Sequence, residues 1–395
     1  MSRILFFSMV YPRAYEPTRG TFCYATCKAL AQRHQVRVVS PQAWMECLRR
    51  PQPLDPRFVS EVGPTEYPCY VYPPGMLRAS YGSWMWHSVR RSLLRVAGEF
   101  RPQAILSQWA DPDGTTAVRL GRRLGIPSGV IVGGSDVLLM VQDPRRRAVV
   151  ARTLQSAQAV FAVSQDLREK TIALGVDPQR VHVVYRGVDE AFSPGSREEA
   201  RRRLDLPVEG EMVLWVGKMV PVKGLEVLLD AFARVAQARP QASLVLVGGG
   251  PRRGAVEQQI RALGLQDRVR LMGLIESERL PDWYRAADVT ALSSHSEGIP
   301  NVLRESLACG TPYVATRVGG IAELGDHPAL RLVPPGDAAA MASALEQALA
   351  HPQRIPADYV QRGWSASAEK FVDILLRPES MTPSGPTKTY APAST

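Results

Sequence analysis

Short apolar runs alternate with amphipathic stretches along almost the whole chain. In the first half the runs occupy residues 3–11, 35–40, 104–109, 129–132, 159–163 and 181–184; in the second half they occupy 212–216, 243–247, 269–272, 289–292, 313–316 and 330–333. Segments between them, such as 225–238 and 254–263, carry apolar residues at helical spacing. This alternation predicts βαβ units whose parallel strands are buried on both faces. So many strands are better accommodated in two sheets than in one, and 395 residues suffice for two cores.

The pattern breaks at RGVDEAFSPG, near residues 189–195, where Pro and Gly mark a hinge. We therefore expect an α/β protein of two Rossmann-like, doubly wound domains facing across a cleft: residues 1–190, then 191–355. A last helix is expected over 359–376, after the proline break at 352–356. The Pro-, Ser- and Thr-rich residues 378–395 have the composition of a disordered tail. Doubly wound domains bind ligands beyond the carboxyl ends of their strands, so motifs matter where they follow strands.

Charge and cysteine content narrow the class. All the net +10 lies in residues 1–190, which hold 25 Lys/Arg against 15 Asp/Glu, while residues 191–395 hold 23 of each. A basic half suits nucleic acid, anionic lipid, an anionic substrate or simply a solvated surface; no nucleic-acid-binding motif accompanies it. No apolar run is long enough to span a bilayer, and MSRILFFSMVY reads as a buried first strand rather than a signal peptide. Cys23, Cys27, Cys47, Cys69 and Cys309 are odd in number and lack zinc-site spacing, which favours a reduced, cytoplasmic setting.

Three stretches of the second half carry candidate chemistry. WVGKMVPVKG places Lys218 and Lys223, flanked by Gly217 and Gly224, in a strand-to-helix turn that suits a diphosphate. The lysines would offset charge building on a departing nucleoside diphosphate. Gly248–Gly250 follow the next strand; they permit either close approach to a ligand or a tight turn. ALSSHSEGIPNVLRESLACGTP ends a strand, loops through Glu297, and opens a helix at Pro300–Asn301 that contains Glu305. Carboxylates accept hydrogen bonds from diols, so Glu297 suits sugar hydroxyls and Glu305 a ribose. The alternative is two solvated glutamates and two solvated lysines.

These stretches, in this order and at these distances, resemble the family 4 retaining glycosyltransferases of GT-B fold. The glutamate–seven–glutamate motif is present as Glu297 and Glu305, followed by RVGGIAEL with Gly319, Gly320 and Glu323. SQWADPDG, GIPSGVIVGGSD, FAVSQDLREK and RGVD extend the resemblance into the first half. It implies that Lys218 and Lys223 bind the donor diphosphate. Glu297 would then bind the donor sugar, assisted by backbone groups of Gly298, Ile299, Pro300 and Asn301, and Glu305 would bind the ribose. Gly20, in the first strand-to-helix loop, would admit the phosphates and acceptor, and the last helix, with Trp364, would cross back to the first domain. The implied reaction moves a sugar from a UDP- or GDP-sugar to a glycan or lipid-linked acceptor. It proceeds with retention, without a catalytic metal or a cofactor beyond the donor, at the cytoplasmic face of a membrane, in polysaccharide or glycoconjugate assembly.

One departure and three side features qualify this expectation. Relatives commonly carry histidine, in contact with the donor sugar, where this chain has Gly133, beside Ser135 and Asp136. This keeps open a sugar-nucleotide epimerase of the same architecture, or a nucleotide-sugar-binding subunit impaired in catalysis. Asp111-Pro112-Asp113 matches a D-x-D metal motif, but it lies in the half without the phosphate-binding residues. His295 neighbours Glu297 without metal-ligand spacing. In YGSWMWHSVRRSLLRVAGEF, residues Tyr81, Met85, Val89, Leu93 and Val96 share a core face. Trp84, Arg91 and Arg95 lie on another face, suited to an anionic membrane surface or to simple packing of the tryptophan.

Overall fold

In the computed structural model, which describes residues 1–17, 19–50, 53–54, 56–359 and 363–377, the chain builds two parallel sheets. The first half supplies β1 (Arg3–Phe7), β2 (Gln35–Val39), β3 (Gln42–Ala43), β4 (Thr65–Glu66), β5 (Cys69–Tyr70), β6 (Ala104–Gln108), β7 (Ser128–Val132), β8 (Ala159–Ala162) and β9 (Val181–Val183). Seven of these form one sheet in the order β4-β2-β1-β6-β7-β8-β9, and β3 pairs with β5 in a small separate sheet. The second half supplies β10 (Glu211–Val216), β11 (Ala242–Val247), β12 (Val269–Gly273), β13 (Val289–Leu292), β14 (Tyr313–Thr316) and β15 (Arg331–Val333), ordered β12-β11-β10-β13-β14-β15. Each order reverses direction once, at β1/β6 and at β10/β13. Ligands of doubly wound sheets bind at such switch points.

The strands form where β-branched and other apolar residues run together, and helices cover both faces. Leu225–Ala238, for example, buries Leu225, Leu228, Leu229, Phe232 and Val235 against the second sheet. The helix Ser365–Leu375 packs on the first sheet: Phe371 meets Phe161 edge-on at 4.8 Å between ring centroids, and a Cβ at Gly129 would lie 3.0 Å from Leu375. The last helix therefore begins later than the periodicity predicts. Gly363, at φ +85°, turns the chain just before it, and Tyr359 belongs to a turn that packs on His327 and Gly325. The first strand also ends early, at Phe7, because residues 8–11 form the loop that meets Asp113. Residues 378–395 lie outside the described residues. No helix among the described residues is long and apolar enough to cross a membrane.

In the helix Tyr81–Phe100, Met85, Val89, Leu93 and Val96 are fully buried, whereas Tyr81 is half-buried. Trp84 remains 40% exposed, and Trp86 takes the buried position. Arg95 is not free, since it pairs with Glu66 and Glu99.

Candidate functional site

The loops after β10 and β13, on either side of the second switch point, are laced together. After β10 the chain passes through Lys218 to a short turn, Pro221–Lys223, and enters the helix at Gly224. Gly224 has φ +57°, and a Cβ there would lie 2.2 Å from the Ser293 carbonyl, so glycine is what lets the two loops touch. Ser293 Oγ donates to the Lys223 carbonyl at 3.1 Å, and His295 N donates to the Val222 carbonyl at 2.8 Å. His295 Nε2 lies 3.1 Å from Glu226, so the histidine is taken up within the helix entrance.

This lacing brings Lys223 and Glu297 together. Lys223 Nζ donates to Glu297 Oε1 at 2.5 Å, and Ser294 Oγ donates to the same oxygen at 2.6 Å. Both side chains keep a small exposed surface, 21% and 11%, so a ligand can reach the pair. Lys218 is exposed on the same loop and makes no ion pair among the described residues. A diphosphate entering between the two loops would thus meet one free ammonium and one held by a carboxylate that a diol could redirect.

Gly298 and Ile299 are buried, and Pro300 stands at the entrance of the helix Asn301–Ala308. No side chain caps that helix, which leaves first-turn N–H groups for solvent or a ligand. Glu305, half-buried in its second turn, accepts a hydrogen bond from Tyr284 at 2.8 Å. Burial pushes its carboxyl up to about 7, although the Tyr284 hydroxyl and Arg304 pull it down. Sequence reasoning missed Ser294 and Tyr284, whose roles depend on contacts made only by folding.

The glycines after β11 make close backbone contacts. A Cβ at Gly248 would fall 1.8 Å from the Gly217 carbonyl, and one at Gly250 would fall 2.5 Å from the Met219 carbonyl. They let β11's loop press against the Lys218 loop, and Met219 N donates to the Gly249 carbonyl at 2.8 Å.

The first domain meets these loops at two places. Gly298 packs on Gly133–Gly134: a Cβ at Gly298 would lie 2.8 Å from the Gly133 carbonyl. Glu323, from the turn Gly319–Leu324, reaches across to the first domain's helix Gln165–Ile172. It accepts from Gln165 N at 2.7 Å, Asp166 N at 2.9 Å and the Tyr185 hydroxyl at 2.9 Å. On its other side the same turn leans on the Glu297 loop, with Gly320 N donating to the Gly298 carbonyl at 2.7 Å. Gly20, buried at φ +61°, starts the helix Thr21–Ala31, and a Cβ there would strike the Val10 carbonyl at 2.5 Å.

Asp136 caps the Gly133 turn from within, accepting from the backbone N–H groups of Ala110, Gly133, Gly134 and Val137. Asp111 and Asp113 are each engaged by the protein. Asp111 accepts from Thr115 Oγ1 at 2.8 Å, and Asp113, fully buried, accepts from Ser8 Oγ and Met9 N, both at 2.9 Å. Burial pushes Asp113 up to about 7 and Asp111 to about 6. A carboxyl raised in the fold binds its proton more tightly folded than unfolded. The stability it lends is complete below its unfolded value, near 4, and is lost as pH rises through about 7. Glu305 adds in the same direction. The melting temperature of the wild type is therefore expected to fall between pH 5 and pH 8, and Asp113→Asn to flatten that fall in a thermal scan. A melting temperature that holds level or rises over this range would contradict the assignment.

Two doubly wound parallel domains whose loops meet, with two lysines and two glutamates in the segments after β10 and β13, have the architecture of the GT-B glycosyltransferases. Residues 20–192 match the Glycosyltransferase Family 4 model and residues 210–351 the Glycosyl transferases group 1 model. A D-inositol 3-phosphate glycosyltransferase of Frankia alni is 35% identical over 282 residues, covering 65% of this chain and 69% of the relative. D-inositol 3-phosphate glycosyltransferase 2 of Catenulispora acidiphila is 37% identical over 263 residues, 61% of each chain, so the match spans less than two thirds of that relative's length. Among solved structures, HepE of Anabaena in complex with UDP and glucose aligns with TM-score 0.73 at 21% identity, over 95% of this chain and 99% of that one. Sucrose-phosphate synthase of Thermosynechococcus elongatus aligns with TM-score 0.71 at 22% identity, over 97% and 96%. The chain belongs to the family 4, group 1 glycosyltransferases of GT-B fold.

Proposed function

We propose that this protein transfers a sugar from a UDP- or GDP-sugar to a glycan or lipid-linked acceptor, with retention of anomeric configuration and without a catalytic metal. The observation that carries this is the convergence of the Lys218–Lys223 loop and the Glu297–Glu305 segment at the carboxyl ends of β10 and β13. In this reading Lys218 and Lys223 neutralise the diphosphate, and its arrival frees the Glu297 carboxylate for hydroxyls of the donor sugar. First-turn amides of the helix Asn301–Ala308 assist, and Glu305, ionised, accepts from the ribose diol. The acceptor attacks from the face the diphosphate leaves. The solved complexes of HepE with UDP, and with UDP and glucose, support a uridine nucleotide.

A basic face supports action beside an anionic membrane. Arg90, Arg91, Arg119 and Arg123 surround a hollow of about 340 Å³ floored by Trp86, over which Arg119 lies at 4.9 Å. None of the four makes an ion pair among the described residues, and Trp84 stands exposed nearby on the same helix. Such a face suits acidic lipid headgroups and a cytoplasmic, peripheral location.

The absence of a side chain at Gly133 favours one second reading, a subunit that binds the nucleotide sugar without turning it over. A thermal-shift panel of UDP, GDP, ADP and their sugars tests the first step. One nucleotide class should stabilise the wild type, by about 2.7 kcal/mol at a hundredfold excess over Kd, and stabilise Glu305→Ala less. Slow hydrolysis of the donor without acceptor would then separate the transferase from the binding subunit. Stabilisation by no nucleotide would overturn both.

A further inference from the structure

Among the described residues three arginines are almost fully buried, and two of them form ion pairs: Arg13 with Glu46, and Arg201 with Asp288 at 2.9 Å. The third, Arg304, does not. It is 7% exposed, and its single hydrogen bond among the described residues runs from NH1 to the Gly187 carbonyl at 3.3 Å. Next to Gly187 stands a second unpaired cation, Arg186. Its guanidinium lies 4.2 Å above the Phe22 ring and 3.4 Å from Gln108 Oε1, with no carboxylate within 4.0 Å among the described residues. Asp136 is near enough to be felt by Arg186, but its oxygens serve four backbone N–H groups. Burial disfavours the charge on both arginines; Arg304 is pushed down to about 10 by burial and by Arg186, which the neighbouring Glu305 only partly offsets. A buried cation without an ion-pair partner is costly. Arg13 and Arg201 have an ion-pair partner; among the described residues Arg186 and Arg304 have none within 4.0 Å.

The two stand where the domains meet, Arg304 reaching Gly187 from the second domain and Arg186 lying beside the Gly133 turn. A Cβ at Gly133 would lie 3.4 Å from Arg186 NH2 and 2.9 Å from Gln108 Nε2, while the Gly133 carbonyl packs on Gly298, the residue after Glu297. Glycine at 133 thus lets Arg186 and Gln108 lie close to the turn that packs on the Glu297 loop, where a side chain would crowd them. We propose that Arg186 and Arg304 form an anion subsite beside Glu297 that takes a compact oxyanion, a carboxylate or phosphate monoester, borne by the sugar being moved or by its acceptor. This rests on the glycosyltransferase reading above. A planar guanidinium offers paired donors matched to either group.

The test measures binding by calorimetry to wild type, Arg186→Gln, Arg186→Lys and Arg304→Gln. The donor probes are UDP-glucuronate against UDP-glucose and GDP-mannuronate against GDP-mannose. The acceptor probes are glucose 6-phosphate against glucose, with UDP or GDP present. One charged probe should bind the wild type about tenfold more tightly than its neutral partner. A preferred acidic donor locates the oxyanion on the sugar moved; a preferred phosphate locates it on the acceptor. Arg186→Gln should abolish the preference, Arg186→Lys keep part of it, and UDP or GDP alone should bind Arg186→Gln within about twofold of wild type. Because Arg186 is half-buried, its variants remain informative if Arg304→Gln fails to fold. Equal affinity for charged and neutral probes would overturn the subsite. So would an Arg186→Gln loss as large for the bare nucleoside diphosphate, since the arginines would then serve the diphosphate. A charged preference with no affinity for UDP or GDP would keep the subsite and remove the glycosyltransferase reading.

Discussion

Lys223→Ala is expected to lower sugar-transfer turnover roughly 10²–10³-fold, the cost of losing one preorganised group aimed at developing charge. Lys223 is the cation held in place by Glu297 and, through its backbone carbonyl, by Ser293. Its charge is therefore oriented before the donor arrives, whereas exposed Lys218 must be ordered by it. Lys218→Ala should accordingly cost less than Lys223→Ala. The substitution also strips Glu297 of its counter-charge and leaves Ser294 as its remaining partner, so donor affinity should fall together with turnover. Steady-state kinetics with circular dichroism as a folding control checks this. Unchanged kcat and KM in a folded Lys223→Ala protein would remove the lysine from the site.

The second large effect is on stability. Gly248 sits at φ +129°, and a Cβ there would stand 1.8 Å from the Gly217 carbonyl, a backbone atom that cannot step aside alone. Gly248→Ala must therefore strain its own backbone and push the Lys218 loop away from β11. A strained φ costs of order 1–3 kcal/mol by itself, and the collision adds to it. We expect a total above about 3 kcal/mol, which lowers the melting temperature by roughly 6–12 °C in a domain of this size. Gly249 provides the control, because a Cβ there meets nothing within 4 Å and its φ is not positive. Gly249→Ala should melt within about 2 °C of wild type. Equal melting of the two variants would show that the glycine loop does not brace the cation loop.

Much of the fold is legible in the sequence because its strands are buried on both faces. Runs such as those at β10, β11 and β13 are continuously apolar, and the loops after them are the places where ligand groups belong. What escapes the eye is short or held from afar. Strands β3, β4 and β5 span two residues each and carry no period. Gly248–Gly250 leave approach to a ligand and a tight turn equally open, because the partner that decides between them, the Gly217–Met219 backbone, comes close only in the fold.

The site divides in the same way. Lys218, Lys223, Glu297 and Glu305 stand out by residue type and position, but the pairing of Lys223 with Glu297 joins residues 74 apart, and Glu323 meets Gln165 across 158. Arg304 reads as one more polar residue on a helix; its burial without an ion pair is a property of packing alone. Trp84 and Trp86 differ by two positions in a helix, enough to turn one outward and the other in.

The most direct measurement is a crystal structure of the protein with the nucleoside diphosphate that stabilises it. The account predicts phosphate oxygens within about 4 Å of both Lys218 Nζ and Lys223 Nζ, with the ribose hydroxyls on Glu305. A nucleotide bound away from the loops that follow β10 and β13, or a diphosphate touching neither lysine, would contradict it.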